Sequence, residues 1–487
     1  MIKREIRSQP LSFPTLYILA SVLIAGISIA SVTLREGFES RTITYLLIGF
    51  LAFITLEPML QRILRHSFDL AEPGVWFAIF YFVHFGVRAI YDLIFGSPIL
   101  GLEPGAKDVG LLNTALGVSI IGLLAFWIGY HRRLGKVIAH ALPTLPRTWN
   151  INIALFVALV CFIFGWSLRI FSIIQVGGWG AWLEANKYEI LAQAEGTMYI
   201  NILANLAKVG LFIVFILARL RRHLNYWFLF TIFLIPELIY WLFSGSRAQF
   251  IFVLLGLLIC VYMTSKKGHQ VSIKLSKWVV ILVILLIVLF PFFSTLRGGG
   301  ANFKFLLTQS SAFWEQPLLL FELIMSRQHG LDSLGTLIEQ ISKGEPFTWG
   351  SEYLLILVSW IPRAIWPDKP VISLGKIFYE KFYPPIFHEG TAVAVTLPGQ
   401  FYWDFGIVGV VIGMFLIGVI WQILFRYLVY PSDNLSNILI VSIMFPTFFI
   451  TVEQCVVSLL TMHLFQFLVL VFVVLALKSK TLKMEVY

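Results

Sequence analysis

The stretch TLPGQFYWDFGIVGVVIGMFLIGVIWQIL, residues 396–424, runs for twenty-nine residues with a single charged side chain, Asp404. It exceeds the roughly twenty residues that an α-helix needs to cross a hydrocarbon layer of about 30 Å. A barrel strand is excluded by the same continuity, because barrel strands alternate in polarity and backbone groups in lipid must here be satisfied within one helix. The pattern recurs along the chain, with candidate spans near 15–34, 43–61, 74–95, 109–130, 151–174, 200–218, 226–243, 248–265, 277–293, 396–424, 435–452 and 455–476. The expectation is an all-α polytopic membrane protein of about twelve transmembrane helices. No internal repeat, low-complexity tract or linker interrupts it, so residues 1–487 read as a single integral membrane domain.

Composition agrees. The chain is 59% hydrophobic and 13% charged, with a mean hydropathy of +0.86. A net charge of +10 suggests nucleic acid at first sight, but Lys and Arg cluster between apolar runs instead of lining one soluble face. Placing the N-terminus in the cytoplasm puts Arg62 and Arg65, then Arg132, Arg133 and Lys136, then Arg219, Arg221 and Arg222 on the inside. Lys266, Lys267, Lys274 and Lys277, Arg426, and finally Lys478, Lys480 and Lys483 follow on that side. This is the positive-inside pattern, and it calls for an even number of spans with both termini cytoplasmic. The stretch after MIKREIRSQP is longer than a signal-peptide core and lacks a clear small-residue cleavage site, so it counts as the first span. Cys161, Cys260 and Cys455 lie in or beside apolar stretches and read as packing residues, too scattered for a metal site or a disulfide framework.

The opposite face receives an outer loop, 175–199, and a large extracytoplasmic loop, 294–395. The larger loop is expected to be partly helical, with its piece 351–362 lying at or dipping into the interface. Several arginines break the charge rule by falling on this outer face: Arg247 in SGSRAQF, Arg297 in TLRGGG, Arg327, and Arg363 in WIPRAIWPDKP. A guanidinium at a membrane boundary either snorkels to headgroups, pairs with a loop carboxylate or holds an anionic ligand, and its planar fork suits phosphate. Arg247 follows Gly-Ser at a helix start, where free N–H groups favour anions, and Arg297 leads into Gly298, Gly299 and Gly300, which permit close backbone approach. Convergence of such groups points to an outer site for an anion.

Further candidates lie nearby. His388 and Glu389 are titratable neighbours suited to proton transfer, or a solvated loop pair; Glu453 in TVEQC orients an arginine, acts as a base or is an ordinary interfacial carboxylate. Arg88 and Lys208, in the outer halves of their spans, line the same anionic pocket or form paired structural charges, while Glu237 sits mid-span after Pro236. Trp366, Asp368 and Lys369 in the proline-stiffened run, and Lys187 and Tyr188 in the smaller loop, complete the candidate substrate-binding set. The outer tryptophans either stack on sugars or form an interfacial belt.

These residues carry a resemblance. Gly245-Ser246-Arg247 opening a span, the W-I-P-R-x-I-W-P-x-K-P run at 360–370 and the small-residue approach to a span around 390–406 resemble the bacterial oligosaccharide repeat-unit polymerases. This is the Wzy or O-antigen polymerase family, and the likeness is to the enterobacterial common antigen polymerase type. Gly177-Gly178, Arg297-Gly298 and the acidic residue at 453 are similar in spacing, whereas TVEQC departs from the Arg-Glu of that type. The resemblance implies a GT-C-like layout with the large loop before the last three spans. It also implies a glycosyltransferase at the outer face of the bacterial inner membrane, joining polyprenyl-diphosphate-linked repeat units and releasing polyprenyl diphosphate. Arg247, Arg297 and Arg363 would then stabilise the leaving diphosphate, and Glu389, His388 or Glu453 would take the hydroxyl proton. No cofactor and no metal are expected, guanidinium groups replacing a divalent ion; no P-loop or dinucleotide fingerprint is present. Partners under this reading are the lipid-linked glycan donor and acceptor, membrane lipids and a chain-length regulator, with no nucleic acid. An O-antigen ligase and a lipid-linked oligosaccharide transporter are the alternatives.

Overall fold

The computed structural model describes residues 40–65, 67–95, 109–184, 198–244, 247–265, 325, 328–359, 361, 365–366, 368–383, 392–430 and 434–478. Apart from one isolated bridge between Trp149 and Lys478, the described residues form helices, turns and loops. In chain order the helices are α1 (Ser40–Leu64), α2 (Pro73–Ile94), α3 (Val109–His131), α4 (Arg133–Ala141), α5 (Ile151–Gln175) and α6 (Gly178–Glu184). Then come α7 (Ile200–Arg221), α8 (Leu224–Phe243), α9 (Arg247–Ser265), α10 (Gly330–Ser342), α11 (Leu354–Ser359) and α12 (Leu374–Phe382). Last are α13 (Leu397–Val429), α14 (Leu435–Met444) and α15 (Val456–Ala476). Nine of these are long and apolar enough to cross a membrane among the described residues, as expected of a polytopic membrane protein. The expected spans 15–34 and 277–293 lie outside the described residues.

Burial follows the logic of a bundle in lipid. Every residue of α7 from Ala207 to Ala218 is buried, which makes it the centre of its half of the bundle. Its neighbours α5 and α8 instead turn large apolar side chains outward, Phe156 at 68% and Phe228 at 71% exposed, a pattern stable only where the surrounding solvent is itself apolar. The other half is organised by α3 and α13, which pack along most of their lengths. There a Cβ at Gly129 would lie 2.1 Å from the Phe415 carbonyl oxygen, and one at Gly418 would lie 2.1 Å from that of Phe126. Small residues let the two backbones approach, as membrane helices require in the absence of a hydrophobic driving force between them.

Two spans differ from the expectation. Residues 435–452 do not form one helix: α14 stops at Met444, and after Phe445 and Pro446 a single turn, Thr447–Ile450, precedes the turn containing Glu453. Pro446 lacks the N–H that would continue the ladder, which accounts for the break. Helix α13 is kinked at Phe405 and Gly406, where Gly406 adopts φ 62° and ψ −149°, a region that favours glycine.

The two ends of the bundle differ in charge. One end, the basic end, carries Arg62, Arg65, Arg132, Arg133, Lys136, Arg219, Arg221, Arg222 and Arg426. It is stapled by Asn434, whose side-chain oxygen caps α14 while its amide donates to the Leu145 carbonyl at 3.1 Å. Tyr130 and Arg62 converge there on the buried Glu72 at 2.8 Å each. Burial pushes the Glu72 carboxyl up, and the Arg62 guanidinium opposes the shift. The chemistry-bearing side chains gather at the opposite, far end.

Candidate functional site

Four spans build the first cluster at the far end. Arg169 lies six residues before the end of α5, on the buried stripe Ala154, Ala158, Cys161, Gly165, Arg169, Ile173. Its Nη1 meets Glu237 Oε1 of α8 at 2.5 Å, and Trp241 Nε1 donates to Glu237 Oε2 at 3.0 Å. The guanidinium carbon sits 4.6 Å from the Tyr240 ring centre, 5.1 Å from Trp241 and 5.3 Å from Trp166. Trp182 of α6 stacks on Tyr240 from the loop side. Lys208 of α7 joins the group: its ammonium lies 4.4 Å from the Trp241 ring centre and donates to Gln249 Oε1 of α9. Lys208 is buried, and among the described residues no carboxylate stands within ion-pairing distance of it. The cluster thus sets two basic side chains against one carboxylate, and Arg169 Nη2 is buried without an acceptor. Arg247 begins α9 two residues before Gln249, a helix start that adds N–H groups to the same end.

The second cluster has the opposite balance. Arg88, on α2, points its Nη2 at Asp92 and at Asp332 of α10, 3.0 Å from each, and its Nη1 at the Met325 carbonyl at 3.3 Å. One turn earlier on α2, within a π-helical turn over Val83–Val87, buried His84 places Nε2 3.0 Å from Glu453 Oε1. That contact is one of proximity and not an aligned hydrogen bond, and Nδ1 too is buried with no hydrogen-bond partner. The Glu453 side chain is 39% exposed and so reaches the surface. Burial pushes the Asp332 carboxyl up while Arg88 opposes the shift.

A third group pins the kink of α13. Both carboxylate oxygens of Asp404 accept hydroxyl hydrogen bonds of 2.6 Å, from Thr348 and from Tyr353. Glu352 is buried beside it; burial raises its carboxyl pKa, with Asp404 adding to the rise. Asp404 thus holds the segment before α11 against the first turns of α13. Among the described residues, no three His, Cys, Asp or Glu side chains converge to hold a metal ion.

The expected site residues divide accordingly. Lys208, Arg88 and Glu453 lie at the same end of the bundle, but in two different clusters. Arg88 is engaged by two carboxylates, Asp92 and Asp332, the arrangement of paired structural charges. Lys369 is buried, its ammonium donating to the carbonyls of Ser359 (2.7 Å) and Ile361 (2.8 Å), so it ties the proline-rich run back on itself. Trp366 and Asp368 are exposed, and 351–362 contains the short helix α11 with Leu354 and Leu357 turned outward. The side chain of Arg247 lies outside the described set, as do Arg297, Gly298, Gly299, Arg327, Arg363, Lys187, Tyr188, His388 and Glu389. Sequence reasoning missed Arg169, His84, Asp332 and Gln249. An arginine six residues inside a span was the available signal for the first; nothing local marked the others. No family model, no curated protein and no solved structure matches this chain.

Proposed function

We propose that the chain is a glycosyltransferase of the bacterial inner membrane that polymerises polyprenyl-diphosphate-linked oligosaccharide repeat units at the outer face. In this reading about twelve spans place both termini in the cytoplasm, and the far end of the bundle faces outward. The observation that carries it is the buried excess of basic side chains, Arg169 and Lys208 against Glu237, next to the Arg247 helix start. A buried amine whose hydrogen bond goes to a neutral amide, with no carboxylate at ion-pairing distance among the described residues, is placed to meet an anion brought by a ligand.

The chemistry follows from that charge. A hydroxyl oxygen of one lipid-linked unit attacks the anomeric carbon of the other chain, the carbon–oxygen bond to diphosphate breaks, and its electron pair leaves with polyprenyl diphosphate. Lys208, with Arg247, Arg297 and Arg363, binds the leaving diphosphate more tightly as its charge grows, which lowers the barrier. Glu453 takes the hydroxyl proton, being the described carboxylate that both reaches the surface and has an imidazole beside it.

Reconstitution of the purified protein with lipid-linked repeat units tests this. Longer glycans with stoichiometric polyprenyl diphosphate release are the expected result, insensitive to EDTA and lost in Arg247→Ala, Arg297→Ala and Arg363→Ala variants that still fold. Translocation without elongation would identify a transporter, and transfer solely onto a lipid A-core acceptor would identify a ligase.

A further inference from the structure

Helix α4 has three faces with three different chemistries. The spanning helix α3 ends at His131, and Arg132, with φ −69° and ψ 148°, turns the chain out of line before α4 begins. Gly135 and Ala139 are its buried residues, and Gly135 lies against Gln422 near the basic end of α13. At about 100° per residue, Leu134, Ile138 and the following Leu142 fall on one flank of that contact, whereas Arg133, Lys136 and His140 fall on the other. The apolar flank is open, Leu134 at 50%, Ile138 at 37% and Leu142 at 37% exposed. Arg132, Arg133 and Lys136 are exposed too, and among the described residues no carboxylate pairs with them.

We infer that α4 lies in the membrane plane at the basic end of the bundle and binds anionic phospholipid headgroups. Its apolar flank enters the acyl boundary, and Arg132, Arg133 and Lys136 meet the phosphodiesters above it. An aqueous setting would leave Leu134 and Ile138 in water, and a fully buried one would strip three cations of solvent without partners. The interface satisfies both flanks at once. The inference is independent of the proposed transferase activity.

The test uses full-length protein and phosphatidylglycerol as the probe. Native mass spectrometry is expected to show retained phosphatidylglycerol, with affinity about a hundredfold lower in the triple variant Arg132→Gln/Arg133→Gln/Lys136→Gln. The pair Arg221→Gln/Arg222→Gln, at the same end but off α4, is expected to change it far less. Depth is read separately. Because Cys161, Cys260 and Cys455 are buried, a fluorophore can be placed selectively through Ile138→Cys or Lys136→Cys. Brominated lipid tails are expected to quench the first label and not the second. Equal phosphatidylglycerol binding by the triple variant, or an unquenched label at position 138 in vesicles, would overturn the inference. The second outcome would indicate a protein or aqueous cover on α4.

Discussion

Arg169 and Arg88 are both arginines buried six residues before the far end of a span, yet their surroundings carry opposite sign. Arg169 shares one carboxylate, Glu237, with a second cation, Lys208, inside a wall of Trp166, Tyr240 and Trp241. Arg88 alone faces two carboxylates, Asp92 and Asp332, with Glu453 one turn away on His84. Position in a span is therefore a poor guide to what a buried arginine does. The balance of its partners decides whether it neutralises protein charge or leaves positive charge over for a ligand.

The comparison is broken most directly at Arg88. Arg88→Leu leaves two carboxylates facing each other without a cation, and a loss of about 3–5 kcal/mol is expected in detergent-solubilised unfolding. Adding Asp332→Asn to that variant should restore much of it; a double variant no more stable than Arg88→Leu alone would show that Asp332 is not the source of the strain. Arg169→Leu should cost less, about 2 kcal/mol, because Lys208 remains close to Glu237 and takes over part of its compensation. If Arg169→Leu proves the more damaging of the two, the surplus charge of the first cluster does not exist.

Lys208→Met sharpens the contrast between stability and activity. The variant loses a hydrogen bond to a neutral amide and a longer-range attraction to Glu237, while Arg169 keeps the direct ion pair, so it should unfold within about 1–2 kcal/mol of the wild type. Its glycan elongation should nevertheless fall by about 10–100-fold, read as the rate of polyprenyl diphosphate release. Unchanged elongation would move the diphosphate site away from this cluster.

The smallest effect concerns Glu352, which stands outside the spans. Its folded-state pKa is raised above the ordinary 4.5, so folding favours the protonated acid. The associated stability is complete below about 4.5 and is lost as pH rises through the raised value. Glu352→Gln keeps the uncharged form at every pH, so its Tm should exceed the wild type's by a few degrees in alkaline buffer and match it in acid. A constant offset across pH would show that the carboxyl does not titrate differently on folding.

Much of the far end was hidden from the sequence for a definable reason. Lys208 and Glu453 were legible because a charge in or beside an apolar run is conspicuous. Asp332 and Gln249 sit in ordinary polar surroundings and gain meaning only from Arg88 and Lys208. His84 occupies a π-helical turn that the apolar pattern YFVHFGV does not announce.

Hydropathy and charge asymmetry are properties of short windows, so the chain by itself settled that it folds into apolar helices with basic residues gathered at one end. Which charges meet is not a local property. Arg169 reaches Glu237 across 68 residues, and Arg88 reaches Asp332 on another helix, because packing contacts such as Gly129 against Phe415 set how far each helix is rotated and raised against its neighbour. A rotation of one residue, about 100°, would turn the same arginines toward lipid, and only the packed bundle determines that they face each other's partners instead.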